Sequence, residues 1–147
     1  MKRKKYFLML NILLAYFIIS CSNKYEKHIG EWTSTDKGVK GSLILNESHY
    51  AILVVGNIVI GGEEFEINGI KGECRYEIDY TKNPIWLDLI ILEKEKGKVK
   101  SRFKGIVRFL TDDKIEYRLN FDSSAERFTK FDPTNTKNTI ILDRVKK

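Results

Sequence analysis

Polar and apolar residues alternate along most of the chain beyond residue 29, and the alternation predicts strands. In Glu73 to Tyr80, Cys74, Tyr76, Ile78 and Tyr80 fall on one face and Arg75, Glu77 and Asp79 on the other. A period of two marks a strand with one wet face. Arg102 to Leu110 alternates in the same way, with Gly105 leaving a gap in the apolar row that fits a bend or a close backbone approach. Ile115, Tyr117, Leu119 and Phe121 alternate with Glu116, Arg118 and Asn120. Ser42–Leu45, His49–Val55, Glu63–Asn68, Ile85–Leu92 and Thr139–Val145 complete the set, with Ile58–Ile60 as a brief continuation of its predecessor.

Turn residues separate these runs: Asn46-Glu47-Ser48, Gly56-Asn57, Gly61-Gly62, Asn68-Gly69, Thr81 to Pro84, a charged stretch around Gly97, and Thr111 to Lys114. Asp122 to Lys137 is a longer polar loop holding Phe128, Phe131 and Pro133, in which Ser123 to Arg127 has room for one short turn at most. No other stretch in this part has helical periodicity. About eight short strands joined by short connections predict an all-β fold, either a sandwich or an antiparallel up-and-down barrel. The barrel is favoured because sequential pairing needs the least chain.

The first residues break the pattern. Lys2 to Lys5 are basic, Tyr6 to Ile19 is a 14-residue run that is apolar except for Asn11, and Ser20-Cys21 ends it. That order is the order of a secretory signal. A retained membrane anchor is the rival reading, but the run is short of the ~20 residues a spanning helix needs. Ile18-Ile19-Ser20-Cys21 resembles the lipobox of bacterial lipoproteins. The resemblance implies cleavage before Cys21 and acylation of its thiol and new amino group. Three segments follow: a signal peptide over 1–20, a lipidated tether over 21–28 and a folded domain over 29–147. The expected location is the bacterial cell envelope, anchored through lipid on Cys21, with the outer membrane preferred because Ser22 is not an inner-membrane retention aspartate.

Removing residues 1–20 changes the charge. The whole chain carries net +6, but that segment holds four basic and no acidic residues, so the remainder has 22 basic against 20 acidic side chains. A chain so near neutrality lacks the broad positive field of a nucleic-acid binder. With Cys21 taken by acylation it is also left with one free cysteine, Cys74, so no disulfide can form within the domain. Burial as a small hydrophobe and exposure as a reactive thiol are the two readings, and its place beside Tyr76 and Ile78 favours burial.

Gly30-Glu31-Trp32, Tyr76 to Leu89, Gly105 to Phe109, Asp112 to Ile115, Arg127 with Phe131, and Leu142-Asp143-Arg144 together resemble a group of small lipocalin-like bacterial domains best known from planctomycetes. The resemblance implies a lipocalin-type barrel with no established ligand or reaction. Phe128 departs from it, standing where that pattern has proline.

Catalytic chemistry is not expected. His28 and His49 are far apart in sequence and no metal-ligand spacing occurs, so neither a metal nor a cofactor is predicted. Asp79 and Asp88 could work as an acid–base pair if burial split their pKa values, but exposed or turn-stabilising roles fit charged residues better. Trp32, Phe65, Tyr76, Tyr80, Phe103, Phe109, Tyr117 and Phe121 either fill the barrel or line a pocket. The chain thus reads as a monomeric, non-enzymatic lipoprotein. It would bind a small apolar ligand or an envelope component, or else serve as a protein-binding module with a filled core and Phe128 and Phe131 as loop anchors.

Overall fold

Ten strands account for the alternating runs. The structure, a computed structural model, describes residues 27–36, 39–67 and 69–146, so the signal-like segment, Cys21 and the first part of the tether lie outside the described residues. The strands are β1 (Gly30–Asp36), β2 (Val39–Leu45), β3 (Ala51–Val55), β4 (Ile58–Ile67), β5 (Ile70–Asp79), β6 (Ile85–Glu93), β7 (Lys98–Phe103), β8 (Gly105–Thr111), β9 (Lys114–Leu119) and β10 (Thr139–Arg144). There is no helix among the described residues.

Each of the first six strands pairs antiparallel with the next. β8 follows β6, then come β9 and β10, and β10 returns to β1 through Trp32↔Arg144 and Thr33↔Asp143. The result is a closed antiparallel barrel of nine strands with β7 as a tenth. The expected fold class holds. The count exceeds eight because Gly30–Asp36 forms a strand outside the expected runs and one of those runs splits in two, and one expected strand boundary moves.

The boundary that moves lies in β4. Gly61-Gly62 does not end a strand but turns a corner inside one, with φ of 117° and 87°. Ile58–Gly61 pairs with β3 and Gly62–Ile67 with β5, while Tyr50 bridges directly to Arg75 beside the corner. Antiparallel neighbours alternate in direction, so nine straight strands could not close into a ring of antiparallel pairs. The glycine corner lets them close. A side chain on Gly61 would collide with the carbonyl of Ala51.

The run that splits is the one expected over Arg102–Leu110. It breaks at Lys104 into β7 and β8, yet Leu89↔Phe103 and Ile85↔Val107 keep one register along β6. β7 and β8 therefore lie on one line. β9 leaves the sheet at Leu119, so it flanks β8 but not β7.

The inward rows build the core. Trp32, Leu43, Leu45, Tyr76, Leu87, Leu89, Val107, Ile115, Tyr117 and Leu142 are all buried. Fully burying one such aliphatic side chain contributes roughly 1.5–3 kcal/mol. The strand registers define two ends. Gly30, Leu45, Ala51, Asp79 and Arg144 lie at the end where the chain enters from residue 27, here the tether end. Val55, Ile58, Leu119 and Thr139 lie at the opposite, distal end.

Candidate functional site

The distal end is open. An apolar recess of about 270 Å³ enters the barrel there. Its depth is lined by Leu43, Leu53, Tyr117, Ile140 and Leu142, and its rim by Gly41, Leu119, Phe121 and Asn138. Gly41 helps keep it open, because a Cβ at that position would sit 3.2 Å from Ile140 Cδ1. Among the described residues no charged side chain lines the recess. The Tyr117 hydroxyl is turned away, donating to the Leu87 carbonyl at 3.2 Å. A dry cavity of ~150 Å³ already accepts a benzene-sized guest, so the space is large enough for a small apolar molecule. The inward aromatics thus divide: Trp32, Tyr76 and Tyr117 fill the core, while Phe121, more than half exposed, stands at the open rim.

The tether end is closed. Trp32 is fully buried and its indole N–H donates to the His28 carbonyl at 2.8 Å. The Arg144 guanidinium lies 4.0 Å over the Trp32 ring and donates to the Ile29 carbonyl at 2.8 Å. His28, counted from sequence with the tether, is instead buried and belongs to the fold. Its ring nitrogens lie 2.8 Å from the Tyr80 hydroxyl and 3.1 Å from the Tyr76 hydroxyl. Burial, reinforced by the charge of His49, pushes its pKa down to about 4.

On the outer wall, Asp88 is only 4% exposed, which corrects the expectation of an exposed or turn-stabilising carboxylate. Its carboxylate pairs with Arg127 in a fork, takes the Gly105 N–H at 3.2 Å, and meets Arg102 at 3.2 Å. Burial raises its pKa, but the hydrogen bonds from Arg127 and Gly105 outweigh that and hold it below the ordinary carboxylate value. A carboxylate held ionised by two arginines is a poor general acid. Asp79 is a turn residue, with Oδ1 accepting from Thr81 N at 2.9 Å and Thr81 Oγ1 at 2.6 Å. Both aspartates line one cleft, but both are held below the ordinary carboxylate value rather than split apart, as an acid–base pair would need.

Phe128 and Phe131 are engaged within the chain. Arg118 stacks 4.0 Å from the Phe128 ring centre, Arg108 4.6 Å from that of Phe131, and Arg127 4.1 Å from that of Trp86. The long loop is strapped to the wall by these contacts and by Arg118 donating to the Lys130 carbonyl at 3.0 Å. Cys74 is buried, and burial pushes its thiol up to about 12. Among the described residues no group of histidine, cysteine and carboxylate side chains could hold a metal. Cys21, the lipidation residue expected from sequence, lies outside the described residues.

Several residues behind the lipocalin-like resemblance meet in space, as structural clamps: Trp32 with Arg144, and Asp88 with Arg127 and Gly105. Sequence reading left open whether the barrel holds a recess, and it missed the His28 plug. Alternation identifies which residues face inward, but not how completely they fill the space between them. No family model, no curated protein and no solved structure matches the chain.

Proposed function

We propose that the protein is a bacterial envelope lipoprotein, anchored by acyl groups on Cys21, whose lipocalin-like barrel binds one small apolar molecule without catalysing a reaction. The observation that carries this reading is the uncharged apolar recess at the distal end. Its position supports the reading too. The chain enters the fold at Lys27 and His28, at the closed end, so an anchor upstream of them leaves the open mouth directed away from the membrane. Burial of apolar surface supplies the affinity, and the recess, already formed, needs no ordering on binding.

Two measurements test the two halves. Cys21→Ala moves the protein out of the membrane fraction and removes the acyl mass; an unchanged membrane-bound mass overturns the anchor. For the ligand, the protein is released from its own envelope and its apolar extract is compared with those of Gly41→Leu and Leu53→Trp, both of which fill the recess. The wild type carries an apolar species that both variants lose. Identical extracts from all three overturn the ligand reading.

A further inference from the structure

At the tether end, outside the plug, lies a second cleft of about 460 Å³ with different chemistry. Its accessible aromatic surface is the half-buried Tyr80 and the exposed His49, with the buried Tyr76 and His28 packed behind them. His49 lies 5.3 Å from the Tyr76 ring, as does His28. Two carboxylates, Glu47 and Asp79, belong to the lining, and no lysine or arginine does among the described residues.

The cations nearest in the fold are occupied elsewhere. Lys27 pairs with Asp112 at 2.8 Å, Arg75 with Glu73 at 2.8 Å, and Arg144 lies over Trp32. Lys82, on the turn after Asp79, lies 4.9 Å over the Trp86 ring, although its charge is still felt by Asp79. Glu47 is exposed and has no hydrogen bond or ion pair among the described residues. Asp79 uses Oδ1 for Thr81.

The face of Tyr80 presents negative charge to a bound cation, and two carboxylates with no lysine or arginine beside them among the described lining residues add to it. We propose that this cleft binds an organic ammonium group. His28 does not oppose the cation, since both its ring nitrogens are taken up by the tyrosine hydroxyls and burial keeps it neutral. The site is separate from the distal recess, and neither depends on the other.

An ammonium group could come from a lipid headgroup or from a free amine. The test titrates the full chain, in a non-ionic detergent at about pH 8, above the ordinary histidine range, with choline, glycerophosphocholine and dimethylbutanol, the neutral carbon isostere of choline. Saturable quenching of tyrosine fluorescence by choline is expected, with the isostere at least about tenfold weaker and Glu47→Gln about fivefold weaker for choline. Tyr80→Phe keeps the ring and retains binding, whereas Tyr80→Leu loses it. Glu47 is exposed and unpaired, so its substitution reads binding without disturbing the fold. Tighter binding of glycerophosphocholine than of choline assigns the site to a headgroup, and the reverse assigns it to a free amine. Equal affinity for choline and its isostere, an unaffected Glu47→Gln, or no saturable binding of choline or glycerophosphocholine overturns the proposal.

Discussion

The Asp88 carboxylate takes the Gly105 N–H at 3.2 Å where the line of β7 and β8 is broken. Side chains stand in for the ladder at this break. Arg127 donates to the Gly105 carbonyl at 2.7 Å and Tyr117 to the Leu87 carbonyl at 3.2 Å. An isolated break of this kind would leave buried backbone groups unpaired.

Removing the Asp88 charge should therefore cost more than a surface ion pair. Asp88→Ala leaves the Arg127 guanidinium largely buried without its partner, and a loss of about 3–5 kcal/mol is expected in urea unfolding. The double variant Asp88→Leu with Arg127→Met should recover part of that loss, since it leaves no orphaned charge. A loss below ~1 kcal/mol in Asp88→Ala would show that the clamp contributes no more than an exposed pair.

Gly105→Ala should be destabilising by roughly 1–3 kcal/mol through overpacking. The added Cβ would lie 2.5 Å from the Leu87 carbonyl and 2.8 Å from the Tyr117 ring. Urea midpoints compared with Gly97→Ala separate the two causes of glycine strain. Gly97 has a φ of 60° but nothing near its Cβ position, so its loss reads backbone strain alone.

How much of this was legible in the sequence depended on whether a residue's role is periodic. Cys74, Tyr76 and Leu87 occupy inward positions that alternation identifies, and the gap that Gly105 leaves in its apolar row is itself the mark of a close approach. The partner of Asp88 was not legible, because Arg127 lies 39 residues away in a loop with no period. One signal did exist. Ile85 to Leu92 is apolar on both faces, with Trp86 and Ile90 opposite Leu87 and Leu89. Such a run predicts cover on the outer side as well. Gly61-Gly62 was misread because a corner and a strand end use the same residues. His28 carried no pattern at all, being a lone histidine after a charged tether.

His28 should make stability depend on pH below neutrality. Its folded pKa is lowered to about 4 from an ordinary 6.5, so the unfolded chain binds the proton more readily. The contribution is complete above about pH 6.5 and declines as the pH falls toward the folded value, by about 3 kcal/mol at most. Urea unfolding at several pH values should show this slope in the wild type and a flatter one in His28→Phe. An unchanged slope would assign the effect to another group.

Cys74 should resist alkylation in the folded protein. Its thiol is buried and its pKa is raised to about 12, so thiolate is scarce and inaccessible at neutral pH. Labelling should track the unfolded fraction across a urea titration, and rapid native labelling would contradict the burial.

The pairing of Trp32 with Arg144 also sets a rule for assembly. Among the described strands the ring closes through β10, the last of them, and the contact from Arg144 to the Ile29 carbonyl spans 115 positions of chain. Hairpins between neighbouring strands can form as they are made, whereas the joint must wait for the last of them. Contacts of such long sequence separation slow folding. A chain emerging from its amino end therefore remains an open sheet until β10 has appeared.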